Sequence, residues 1–141
     1  MIVRQMFDIS NFIRSLRIQA RFARLSRAPL RLLRLELRGD AAECDWVARP
    51  PDQWDADLAE EVRERNFSLQ ALEDAMTVRE LLFFTVPELS SAVLRVFRPG
   101  AQGRSELLIT GTVSREEQLP PNVSSLTMRA KLSGFRFRLA D

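Results

Sequence analysis

The chain has 141 residues, 45% of them apolar and 28% charged, and a formal net charge of +2. A chain this long buries roughly 70% of the surface that its unfolded form exposes, so one core suffices without disulfide or metal staples, and a disordered polypeptide is excluded. With no His, no Tyr and one Cys, imidazole bases and ligands, phenol chemistry, Cys-His nucleophiles and thiolate zinc sites are excluded too.

The arginines outnumber lysine twenty to one, a ratio that follows from nucleotide composition more readily than from function. Their placement is a separate matter. Residues 1–38 hold nine Arg and two acids, residues 39–88 four Arg and thirteen acids, and residues 89–141 seven Arg, Lys131 and four acids. A basic–acidic–basic chain of this kind neutralises itself on folding, which weakens the case for a nucleic-acid partner. Cys44 sits in Ala-Glu-Cys-Asp-Trp, between carboxylates that raise a thiol pKa, and reads as a small core residue in a reducing compartment, with a cytoplasmic location expected. No apolar run approaches the ~18 residues of a membrane span. The first 28 residues share the Arg-rich, acid-poor composition of transit peptides, but are expected to belong to the folded domain.

The first element is organised by an arginine ladder, Arg14, Arg17, Arg21, Arg24, Arg27, Arg31, Arg34 and Arg38, at intervals of three or four. Between Asp8 and Ala28 there is neither Gly nor Pro. Ile9, Phe12, Ile13, Leu16, Ala20 and Ala23 gather on one side of a helical wheel, which predicts a helix over about 9–26. Ile18, Phe22 and Leu25 then lie opposite, so this helix needs cover on two sides. A strand is the competing reading, because residues 16–22 also alternate.

After Pro29, residues 31–38 alternate up to the turn signal Gly39-Asp40, and residues 42–49 alternate again, which predicts a hairpin. Pro50-Pro51 ends it. Asp52 and Asp55 are placed to cap a helix over about 54–65, with Trp54, Leu58 and Val62 on one face. Asn66-Phe67-Ser68 reads as a break before a second helix over 69–83, closed by Pro87. The remainder reads as β: a hairpin of 92–98 with 105–113 around a five-residue loop, then alternation over 126–132, a bend at Gly134, and alternation resumed through Phe135, Phe137 and Leu139.

These elements predict a single α+β domain over 1–141, in which an antiparallel sheet of about five strands carries an N-terminal helix and two middle helices packed on one face. The basic segment is 1–38, the acidic helical middle 52–86 and the β part 91–139.

Chemistry-bearing constellations are sparse. Asp55, Asp57, Glu60, Glu61 and Glu64 cluster, but such a cluster reads as a solvated helix face before it reads as an acid–base pair. Pro99-Gly-Ala-Gln-Gly103 lacks the Lys-Ser/Thr of a phosphate loop. Phe135-Arg-Phe137 echoes an RNA-binding aromatic strand without the second aromatic strand that such a surface needs. No cofactor or metal site is expected. The expectation is therefore a non-enzymatic interaction or structural module, binding a protein partner or a second copy of itself through Arg14, Arg17, Ile18, Arg21, Phe22, Arg24 and Leu25. The alternatives are a nucleic-acid-binding accessory protein using the same arginines, and a small enzyme with a carboxylate/Arg site. A purely structural role for the ladder would have it pair with the acids of 52–64.

Overall fold

The structure, a computed structural model, describes residues 13–21, 30–51, 53–99, 103–116 and 125–137. Helix α1 occupies 13–21. Strands β1 (Arg31–Arg38) and β2 (Ala41–Val47) follow, then a 3-10 turn at Gln53–Asp55, helix α2 (Glu60–Thr85), β3 (Ser91–Pro99), β4 (Ser105–Ser114), helix α3 (Leu126–Leu132) and β5 (Phe135–Phe137). The five strands form one sheet in the order β1-β2-β3-β4-β5.

The β1–β2 hairpin turns through Gly39, whose φ of 56° is the left-handed region that glycine adopts without a Cβ clash. In β2, Ala42, Cys44 and Trp46 are buried and alternate with half-buried Glu43, Asp45 and Val47. Strand β3 repeats the phase, and Ala42, Cys44 and Trp46 lie beside Ala92, Leu94 and Val96. That pairing is parallel, whereas β1–β2, β3–β4 and β4–β5 are antiparallel. The expected all-antiparallel sheet is thus corrected to a mixed one. The cause is the long helical connection between β2 and β3: a crossover helix returns the chain to the end of the sheet where β2 began, and the next strand runs the same way.

The two expected middle helices are one. α2 runs unbroken for 26 residues, roughly 39 Å at 1.5 Å per residue. Asn66 and Ser68 are weak helix formers, but each costs only about 0.5 kcal/mol, and burial of Phe67, Ala71, Leu72, Ala75, Val78 and Leu82 outweighs that. The helix starts at Glu60 rather than Trp54, and Glu60 and Glu61 in its first turn suit the positive end of the helix dipole. Trp54 and Leu58, expected on one helix face with Val62, thus precede the helix, and all three are exposed.

At its other end, Arg115 donates to the carbonyls of Phe83, Val86 and Leu89 at 2.9, 2.8 and 2.7 Å, satisfying acceptors that the ending helix leaves open. α2 packs on β3 and β4 and touches α3, which in turn touches β5.

Residues 126–132 are also corrected, from strand to helix. Leu126, Ala130 and Ser133 turn inward at a spacing of four and three, and the Ser125 hydroxyl accepts from the Met128 amide as an N-cap. Only Phe135–Phe137 of the expected last strand pairs, and Leu139 lies outside the described residues.

Gly111 is where β5 crosses closest. A Cβ there would stand 2.7 Å from Phe135 Cδ1 and 3.0 Å from the Phe135 Cα. Gly111→Ala should therefore push β5 off β4 and cost about 1–3 kcal/mol in urea unfolding, as overpacked core sites do; a change below about 0.5 kcal/mol would show that the crossing relaxes freely.

Candidate functional site

α1 is anchored from below by Ile18, which is 0% exposed and part of the core. Arg14 pairs with Glu88 at 2.8 Å, and the Arg21 guanidinium lies 5.3 Å from the centre of the Phe84 ring. These contacts set α1 against the C-terminal end of α2. Its outward strip is Ile13, Leu16, Arg17 and Ala20, at offsets of three and four. Ile13 and Leu16 are 45% and 48% exposed, and Phe84, under the Arg21 guanidinium, is 74% exposed.

Among the described residues the wheel is thus reversed: Ile18 of the smaller expected set is buried, and Ile13, Leu16 and Ala20 of the larger one are exposed. Of the expected interface residues, Arg14, Arg17 and Arg21 stand on or beside this open strip, Ile18 is beneath it, and Phe22, Arg24 and Leu25 lie outside the described residues. Phe84, which meets α1 through Arg21, was missed. Its signal was Leu81-Leu82-Phe83-Phe84, since four consecutive apolar residues cover about 300° of a helix and cannot all face one core.

Further along the ladder, Arg34 and Arg38 are engaged within their own hairpin. Arg34 pairs with Glu36 and with Glu43 at 2.8 Å, and Arg38 pairs with Glu36. Arg95 on β3 extends the network to Asp45 at 3.1 Å. Among the described residues, the acids of 52–64 form no ion pair with the N-terminal arginines; Glu64 is taken by Arg98 at 2.9 Å, and Arg98 also lies 5.9 Å from the Phe67 ring. Exposed pairs of this kind contribute at most about 1 kcal/mol each, so they organise the surface more than they stabilise it.

A second feature opens where β2 and β3 end. A cleft of about 760 Å³ has Pro50, Pro51, Phe67 and Pro99 among its apolar walls and Arg31 and Arg63 on its polar side. Trp54 precedes the Asp55–Ala56 wall and is 82% exposed. Among the described residues no group of three or more Cys, Asp or Glu is placed to hold a metal ion, and no helix is long and apolar enough to cross a membrane. Phe135 is buried and Phe137 packs against the core, with Lys131 Nζ 6.0 Å from its ring, so this aromatic pair does not form an open base-stacking surface. Comparison with protein-family models, curated proteins and solved structures returns no match.

Two buried groups have testable chemistry. Cys44 is fully buried, and desolvation, aided by the charge of Asp45, pushes its thiol well above the ordinary value. It should resist a disulfide reagent at pH 8 in the native protein and react fully in denaturant; rapid native labelling would contradict its burial. Asp74, 7% exposed, is held by Arg49 at 2.8 Å, yet burial outweighs that pull and its carboxyl titrates above the ordinary 3.8. A carboxyl raised in the folded state adds stability at low pH that is lost as pH rises through its folded value. Relative to Asp74→Asn, the native protein should therefore gain urea stability as pH falls through that value towards 3.8; an unchanged difference between the two would remove Asp74 from the balance.

Proposed function

We propose that the protein is a non-enzymatic protein-interaction module, working in a reducing compartment such as the cytoplasm, and that it binds a protein partner or a second copy through the outward strip of α1 together with Phe84. The observation that carries this reading is Phe84, 74% exposed with the Arg21 guanidinium over its ring and Leu16 half-exposed on the adjoining helix. Aromatic rings and arginines are enriched where interfaces bury most of their energy, and Phe84 and Arg21 present that combination on the surface. We also read the three helices as one layer over a single face of the sheet, because α1 meets α2 through Arg14–Glu88 and Arg21–Phe84, and α3 packs on α2.

A nucleic-acid surface would draw on the same arginines. It is disfavoured because the ladder is divided, with Arg14 committed to Glu88 and Arg34 and Arg38 to Glu36.

A photo-crosslinking residue at position 16 or 84 should yield a discrete protein adduct under native conditions, and one at exposed Thr112 on β4 should not. Leu16→Glu and Phe84→Ala should each weaken the association at least about tenfold while moving the melting temperature by no more than about 3 °C, since both side chains are exposed. Adducts of equal yield at 16, 84 and 112, or none at any, would remove the reading.

A further inference from the structure

The cleft where β2 and β3 end owes its position to the topology. The two strands run parallel, so Val47 and Pro99 bring both carboxyl ends to the same end of the sheet. There the chain parts. One exit, Ala48 to Pro51, heads for α2, and the other turns back into β4. Residues of both exits line the cleft, together with the first two turns of α2. A crevice outside the carboxyl ends of parallel strands is where sheets of this kind hold ligands. Its volume of about 760 Å³ lies within the ~300–1,000 Å³ of sites for small organic molecules.

The walls are fixed by contacts within the chain. The Ala48 amide donates to the Phe97 carbonyl at 2.8 Å, carrying the pairing one residue beyond β2. Gln70 Nε2 donates to the Pro50 carbonyl at 3.0 Å and ties that wall to α2. The rings of Pro50, Pro51 and Pro99 each lock their own φ, so they offer apolar surface at little ordering cost.

The charges in the walls divide into matched and unmatched. Arg49 is held by Asp74 at 2.8 Å, and Arg98 takes Glu64 at 2.9 Å. Asp55 accepts from the Asn66 amide at 3.4 Å. Arg31 at the start of β1, Arg63 on α2 and Glu60 are left, none in an ion pair with a described residue. Two guanidiniums against one carboxylate make the unmatched charge positive. An apolar cavity with spare guanidinium selects an apolar body carrying an anion, and the planar guanidinium fork fits a carboxylate.

We propose that this cleft binds a small amphipathic carboxylic acid, its apolar body against Phe67 and the proline rings and its carboxylate at Arg31 and Arg63. The site is separate from the α1 strip: Arg63 and Phe84 stand 21 residues apart on α2, roughly 30 Å along its axis.

The test uses the full chain and three probes that share one tail and differ in the head: octanoate, 1-octanol and octylammonium. Isothermal titration calorimetry should give octanoate a Kd below about 1 mM and the other two at least about tenfold weaker binding. Amide shifts in a nitrogen-15 spectrum should move most at Ala48, Ala56 and Phe67, and little at Leu16 and Phe84. Arg31→Gln with Arg63→Gln should weaken octanoate at least about tenfold and leave 1-octanol within about twofold, since only the head contact is lost. Ala56→Trp, at an exposed position of the wall, should weaken octanoate and 1-octanol alike by filling the cavity. Circular dichroism checks the fold of each variant.

No heat or shift change with octanoate at about 5 mM overturns the proposal. So does equal binding of the three probes, which leaves an apolar cleft without charge selection, or tighter binding of octylammonium, which gives the site to Asp55 and Glu60. Shifts centred on Leu16 and Phe84 would move the acid to the α1 strip and overturn it as well.

Discussion

Everything in this molecule depends on α2 as the crossover between the parallel strands β2 and β3, a connection that lays the helix on β3 and β4. A parallel pair leaves no room for a hairpin, so the chain must leave the sheet and come back, and the segment that does so is also the largest single contributor to the core. Phe67, Ala71, Leu72, Ala75, Val78 and Leu82 on the helix share one apolar cluster with Cys44, Trp46, Leu94 and Val96 on the two strands. At about 25 cal/mol per Å² of apolar surface removed from water, a face of that size dominates the other contacts of the fold. The antiparallel additions, β1 on one side and β4 with β5 on the other, extend a sheet whose centre is already set.

The C-terminal end of the helix is held with unusual redundancy. Arg79 reaches the Ser114 carbonyl at 2.6 Å, and Arg115 supplies three more hydrogen bonds to carbonyls around the end of α2. Both guanidiniums also lie about the same ring, 5.1 and 4.9 Å from the centre of Phe83. Charge-assisted bonds to part-buried carbonyls are stronger than surface ion pairs, because water competes less for the acceptor. Phe83 is thereby fixed inward, and a helix turns 100° per residue, so Phe84 is fixed outward by the same contacts. The exposed ring is presented by a rigid support rather than a loose turn, which lowers the ordering cost of any association through it.

Much of the architecture was legible from residue patterns. The β1–β2 and β3–β4 hairpins follow from alternation bracketed by Gly39-Asp40 and Pro99–Gly103, and Cys44 sits in the core as its neighbours implied. What misled were signals that local and long-range physics weigh differently. Asn66 and Ser68 advertise a break only until Phe67 is seen to be buried on the same side as Ala71. The alternation of 126–132 is too short to distinguish a strand from a two-turn helix, and Ser125 decided it. Strand direction was out of reach, because parallel pairing is set by the length and nature of a connection rather than by any residue in the strands. The candidate site was half visible: α1 and its arginines stood out, but which side of α1 would be covered depended on a neighbour from the far end of α2.

The parallel register has a consequence for how the chain comes into being. Each residue of β2 finds its β3 partner fifty positions later, as Ala41 with Ser91 shows. On a ribosome, β1 and β2 emerge well before β3, and an isolated two-stranded hairpin is marginal in water. The open edge of β2, with Trp46 and Cys44 on its apolar side, must wait for the whole of α2 and then for β3 before it is paired. Closing so large a loop is entropically slow, and for that interval the nascent chain offers other chains an unpaired strand edge. The arginines and glutamates along β1 and β2 stand beside that edge throughout the wait, and their charge opposes the wrong pairing before it serves any finished surface.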